Sequence, residues 1–165
     1  MFQKLKISSA KKYIENSIYD HRPKAVRQID KLGVIIDEKV LNKIAYDQLK
    51  KAFSSLGKKV EIILFSEKTE EGVLSFKRSD LGWKGVFKPE TAAAKFQQEQ
   101  FDVLVNYFET PQPELILLGV STSAKIKVGF SQQDKKLNDL QINVSATEVD
   151  LFIKELKKYL AIINQ

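Results

Sequence analysis

The stretch from Phe101 to Phe130 constrains the fold more than any other part of the chain. Phe101-Asp102-Val103-Leu104-Val105-Asn106-Tyr107 reads as a strand, and Lys125-Ile126-Lys127-Val128-Gly129-Phe130 as another. Between them Pro111 and Pro113 bracket the start of a helix, where proline is tolerated in the first turn. Leu115, Ile116, Leu117, Leu118 and Val120 make that helix apolar nearly all round, so it should be buried. A strand, a short buried helix and a second strand form a unit against which the rest of the chain can be laid.

Lys31-Leu32-Gly33-Val34-Ile35-Ile36-Asp37 has no polar alternation, which suits a strand covered on both faces, as in a parallel sheet. Val40, Leu41, Ile44, Ala45, Leu49, Ala52, Phe53 and Leu56 follow a helical rhythm and predict one helix, with Gly57 in the position a C-cap prefers. Val60–Phe65 is the next strand, completing a βαβ unit. Leu140–Val144 alternates and predicts an edge strand. Thr147 with Asp150 resembles a capping box ahead of a final amphipathic helix carrying Val149, Phe152, Ile153, Leu156, Leu160 and Ile163. The expected fold is α/β: a Rossmann-like three-layer sandwich, mainly parallel, with four central strands in the order 2-1-3-4, an added edge strand and helices on both faces.

At 165 residues the chain suits one compact domain. Residues 32–165 read as that domain, with an insertion at 66–100, and residues 1–31 as a basic helical segment packed on it. In that segment Ser8 or Ser9 is placed to cap a helix running to Tyr19, with Ile7, Ala10, Ile14 and Ile18 on one stripe. His21, at the break before Pro23, reads as a loop histidine with no evident carboxylate partner. In the insertion, Val73–Lys77 offers a short strand, Gly82–Phe87 a turn, and a helix begins near Glu90. Lys77, Arg78, Trp83, Lys84 and Lys88 interleave charge with an aromatic ring, as single-strand nucleic-acid surfaces do. The plainer reading has Trp83 and Phe87 closing the sheet edge under the loop.

The net charge of +6 is local. Residues 1–31 hold eight Lys or Arg against Glu15, Asp20 and Asp30, while the rest of the chain is nearly balanced. Such a segment attracts anionic partners by counterion release, so Lys4, Lys6, Lys11, Lys12 and Arg22 are candidate contacts for nucleic acid or another anionic partner. With 24 Lys and three Arg, the binding expected is weak, salt-sensitive and blind to sequence. No apolar run is long enough to span a membrane, and the N-terminus lacks the pattern of a signal peptide, which points to the cytoplasm.

Several chemistries are excluded by composition. The chain has no Cys and a single His, which removes disulfides, thiolate nucleophiles and multi-His metal sites. After the first strand a dinucleotide or NTPase site would need a glycine-rich turn, but the chain runs into Asp37-Glu38-Lys39-Val40. No cofactor is implied. Asp37 reads first as a helix cap, and Ser121-Thr122-Ser123 as residues that end a helix at the edge opposite the usual ligand side. That ligand side, the carboxyl ends of the strands, collects Asp37, Glu38, Ser66, Glu67, Tyr107, Glu109, Ser131, Gln132 and Gln133. The strand order reverses between the first and third strands, so Asp37, Asn106, Tyr107 and Glu109 are the candidate ligand-binding residues. No catalytic residue is assigned. The reading is a non-catalytic binding or interaction domain; the alternative is a small enzyme acting on a sugar or nucleotide, with Mg²⁺ held by Asp37 and Glu109.

The pattern Asp102-Val103-Leu104-Val105-Asn106, the Leu-rich helix and Ala124–Phe130, preceded by Leu81-Gly82-Trp83-Lys84-Gly85, resembles a family of small α/β proteins of the Bacteroidota carried under a domain-of-unknown-function label. The resemblance runs from Leu32 onward and implies an α/β domain with no assigned activity. The same thirty-residue stretch is also similar to the N-terminal Rossmann-like half of heptosyltransferase-type glycosyltransferases. Those enzymes hold nucleotide sugar mainly through a second such domain, for which this chain has no room.

Overall fold

The computed structural model of the chain describes residues 2–18 and 21–163, with the side chains of residues 2–5, 7 and 16–18 outside that description. Six strands, β1 (Lys31–Asp37), β2 (Lys59–Phe65), β3 (Ser75–Phe76), β4 (Gln100–Tyr107), β5 (Ser123–Phe130) and β6 (Leu140–Ile142), form one sheet. Their order is β3-β2-β1-β4-β5-β6, and every neighbouring pair is parallel. The expected order corresponds to β2-β1-β4-β5. The full sheet is wider on both sides, by β3 from the insertion and by β6 beyond β5.

The unbroken apolar strands are explained by cover on both faces. Val34, Ile36, Val103, Val105, Ile126 and Val128 pack toward α2 (Tyr46–Ser54) and α5 (Val149–Ile163). Ile35, Ile63, Phe101 and Leu104 pack toward α1 (Phe2–Ile18), α3 (Ala92–Gln97) and α4 (Pro113–Ser121). The first face holds an aromatic cluster of Phe53, Tyr107, Phe130 and Phe152, with the ring of Tyr107 lying 4.8–5.3 Å from the other three.

Several local expectations are corrected. The helix read across residues 40–56 is broken into a 3₁₀ turn, Glu38–Asn42, and α2. Lys43 and Ile44 both donate to the Val40 carbonyl, and Ala45 is extended, so the chain restarts at Tyr46. Val40 and Ile44 stay buried on the same side as Leu49, which is why the helical rhythm runs through the break. Gly57 is no left-handed cap: α2 ends at Ser54, and a Cβ at 57 would lie 3.0 Å from the Ile29 side chain. α1 begins at Phe2, placing Ser8 and Ser9 inside the helix; Tyr19 and the side chains of Ile7 and Ile18 lie outside the described residues. Ala10 is buried and α1 lies against α4.

In the insertion only Ser75–Phe76 pairs as a strand, and α3 starts at Ala92 with the Thr91 hydroxyl accepting from Ala94 N–H at 3.2 Å. A turn follows Leu81, closed by Gly82 N–H donating to Val86 O at 2.7 Å. At its tip Gly85 has φ +77°, and a Cβ there would lie 2.7 Å from Ala10 N, so this turn presses on α1. Phe87 is buried as expected, but Trp83 is 60% exposed and does not close the sheet edge. Lys84 instead rests over its ring. Among the described residues no helix is long and apolar enough to cross a membrane.

Candidate functional site

The topology brings the loops after β1 and β4 side by side, because these strands are neighbours whose chains continue to opposite sides of the sheet. A cleft of about 550 Å³ opens there, lined by Asp37, Lys39, Lys43, Glu109 and Thr110 among others. Asp37, the last residue of β1, is 1% exposed. One of its oxygens accepts from Lys39 N–H and caps the 3₁₀ turn; the other accepts from Gln112 Nε2 at 3.2 Å. Burial pushes the Asp37 carboxyl above the usual carboxylate range, against the opposing pull of the Lys39 N–H, the Lys39 charge and Gln112. Across the cleft Glu109 pairs with Lys43 at 3.3 Å.

Of the four candidate residues the fold brings two together. Asp37 and Glu109 line the cleft; Asn106 and Tyr107 do not. The Tyr107 side chain turns into the aromatic cluster, where its hydroxyl donates to Ala146 O at 2.5 Å. It is a core residue with a satisfied hydroxyl, and burial raises its phenol. Asn106 points to the other face and is fully buried, donating to Asn138 Oδ1 at 2.8 Å. Asn138 donates in turn to Gln133, whose Nε2 donates to the carbonyls of Asn106 at 2.9 Å and Phe108 at 2.6 Å. A Cβ at Gly129 would lie 1.9 Å from Gln133 Oε1, so this amide chain closes directly over a glycine. Alternation along one strand sends adjacent residues to opposite faces, which is why strand-end position alone could not place these side chains.

Next to the cleft the same edge carries a second polar group. Arg78 Nε donates to Glu114 Oε1 at 3.1 Å, and its terminal nitrogen to Gln112 Oε1 at 3.3 Å, so Gln112 bridges Asp37 to Arg78. Ser66 donates to Glu38 at 2.6 Å, and Arg78 N–H to Glu67. Lys39, Lys43 and Thr110 are polar cleft residues that sequence reading missed, as is Gln112 beside the cleft; their signal was closeness in sequence to Asp37 and Glu109. Among the described residues no group of three or more His, Asp or Glu is placed to hold a metal ion.

The candidate anionic contacts lie on α1 and on the connection that follows it. Lys11, Lys12 and Arg22 are exposed and Lys6 is half-buried; Lys11 also borders a hollow lined by Ile14, Phe108 and Ile116. The Lys4 side chain lies outside the described residues. His21 has a carboxylate partner after all: its Nε2 lies 2.7 Å from Asp139 Oδ2, across 118 residues of sequence. Such separation leaves no local signal. Ser121 and Thr122 end α4, their hydroxyls bonded to Leu118 O.

A family model described as "Family of unknown function (DUF6913)" matches residues 6–163. No curated protein matches the chain.

Proposed function

Because the chain belongs to the family of unknown function DUF6913, whose description assigns no activity, we propose its function from the cleft itself. The domain is a non-catalytic, Rossmann-like binding module that takes a small hydroxyl-rich ligand, a sugar or the ribose of a nucleoside, at the carboxyl edge between β1 and β4. The observation that carries this is the pairing of a buried carboxylate, Asp37, with a second, Glu109, in a cleft that also holds Lys39, Lys43 and Thr110. Carboxylates accept from adjacent hydroxyls, and lysines donate to the oxygens that remain. Two acids balanced by two lysines suit a neutral ligand better than an anion. No glycine turn approaches the cleft to cradle a phosphate, and each Asp37 oxygen accepts one protein hydrogen bond while keeping a second lone pair for a ligand hydroxyl, so binding is favoured over phosphoryl or hydride transfer. A family match that spans residues 6–163 supports treating the segment 1–31 and the domain 32–165 as one working unit, and a cytoplasmic site of action belongs to the same reading.

The test is a thermal-shift panel of monosaccharides, nucleosides, nucleotide sugars and divalent metals on the wild type, Asp37→Asn and Glu109→Gln. A true ligand at 100 times its dissociation constant adds roughly 2.7 kcal/mol, a clear rise in melting temperature. The proposal expects a saturable rise with a neutral polyol that both substitutions remove. A rise unaffected by either, or one given only by a metal with a nucleotide, would overturn it.

A further inference from the structure

The turn of the insertion and the basic helix α1, far apart in sequence, meet on the surface. Gly85 at the tip of the turn abuts Ser9 and Ala10, and Tyr13 lines a small crevice with Gly85 and Val86. We propose that this junction binds single-stranded nucleic acid, with bases stacking on Trp83 and Tyr13 and phosphates meeting Lys6, Lys12, Lys84 and Lys88. It uses none of the residues of the carboxyl-edge cleft and does not rest on the reading of that cleft.

Backbone pairing sets what the turn presents. Leu81 pairs with Phe87 in an antiparallel bridge, both side chains are buried, and Gly82 N–H donates to Val86 O. Trp83 and Lys84 are thereby left at the tip, and alternation about Phe87 turns Val86 and Lys88 outward. Lys84 Nζ lies 5.3 Å from the centre of the Trp83 ring. On α1, Lys6, Lys12 and Tyr13 stand at i−3, i+3 and i+4 from Ser9, so they share the side of the helix that the turn touches. Trp83, Val86 and Tyr13 are all exposed. The junction is thus an aromatic patch rimmed by lysines.

Charge decides the class of partner. Residues 2–14 and 81–89 together hold six Lys and no Asp or Glu. Among the described residues the ion pairs leave out Lys6, Lys12, Lys84 and Lys88. Glu15, the first acid along α1, borders the hollow lined by Phe108 and Ile116, and the Asp80 carboxylate already accepts from Lys77 N–H. A polyanion complements such a surface. Exposed rings favour a single strand, whose bases are open to stacking, over a duplex, whose bases are stacked on one another. A lipid surface fits less well, because Val86 is the single exposed aliphatic side chain of the turn and leaves little to bury among acyl chains.

Trp83 is the chain's one tryptophan, so its emission reports on the site directly. The experiment titrates the full chain with a thymidylate oligonucleotide of about twelve nucleotides, following tryptophan emission and the anisotropy of the dye-labelled strand. A uridylate strand, a duplex of the same length and phosphatidylserine vesicles are the other arms. Expected are saturable quenching by one or both single strands, affinity at least about fivefold weaker in Trp83→Leu and largely restored in Trp83→Phe. The log-log salt slope should lie near about −2 to −3 and become shallower in Lys84→Gln/Lys88→Gln. All the substituted side chains are exposed, so each variant keeps the core. Emission unchanged by either strand, affinity unchanged in Trp83→Leu, a duplex bound as tightly as the single strand, or a response to vesicles alone would each overturn the proposal.

Discussion

The two edges of the sheet differ in charge and in how they are assembled. At the carboxyl edge Asp37 and Glu109 share a cleft with Lys39 and Lys43; Asp37, Lys39 and Glu109 sit on or just after a central strand, and Lys43 follows the 3₁₀ turn after β1. At the amino edge His21, Arg22 and Lys24, from the connection after α1, line a cleft with Lys127 of β5, and Asp139, from the loop before β6, accepts from Lys127 N–H and meets His21. A parallel sheet places the loops after its strands together by topology alone, so the first arrangement follows from strand order. The second depends on one segment lying along the free half of β5, which β6 leaves open because it pairs only with Val128–Phe130. Residues 131–139 join the edges: they cross from β5 to β6 without a helix, carrying Gln133 near the start and Asn138 and Asp139 at the end.

The largest effect is expected where that crossing is held. Gly129→Ala would drive a methyl into Gln133 and Asn138, which are bonded to one another and to β4, and should destabilise by about 3 kcal/mol. Urea unfolding gives the loss. The surviving fold should keep the Asp37 cleft while losing the His21–Asp139 contact; retention of both, with unchanged stability, would break the link between the edges.

A smaller effect separates the edges by pH. The folded pKa of Lys127, about 8, lies below its ordinary value of 10.5, so between these values the unfolded chain binds more protons. The burial penalty is therefore complete below the folded value and fades as pH rises through the window. Relative to Lys127→Met, the wild type should gain roughly 2 kcal/mol between about pH 7 and pH 10. The raised Tyr107 phenol acts in the opposite sense near the top of this range, but equally in both proteins, so the difference isolates Lys127. Parallel stability curves would show that Lys127 is better solvated than its position implies.

The smallest effect concerns Asp37, whose carboxyl is raised by burial. Its ionised form is the penalised one, so the penalty is present above the folded pKa and disappears as pH falls below the ordinary value of 3.8. Asp37→Asn should match or slightly exceed wild-type stability near neutrality and lose any advantage toward pH 4, an effect smaller than that of Lys127. Denaturant midpoints across that range measure it. A marked loss at neutral pH would mean that the bonds to Lys39 and Gln112 outweigh the burial.

Much of the fold was legible because it rests on short-range pattern. Continuous apolar runs at Leu32–Ile36 and Val103–Val105 call for cover on both faces, and the prolines before Leu115 set the start of α4. Asp37 as a cap was equally local, since the donor lies two residues on. The break between the 3₁₀ turn and α2 was hidden because buried Val40 and Ile44 keep helical spacing through it. By itself, then, the chain determined its layers, its central strand order and the strand-end residues that approach one another, all consequences of periodicity and chain connection. Only the tertiary structure decided that Tyr107 belongs to the core, that Asn106 belongs to a buried amide chain and that His21 meets Asp139. Each of those choices turns on which face a side chain takes and which distant segment arrives there, and contacts across up to 118 residues are set by packing of the whole sheet.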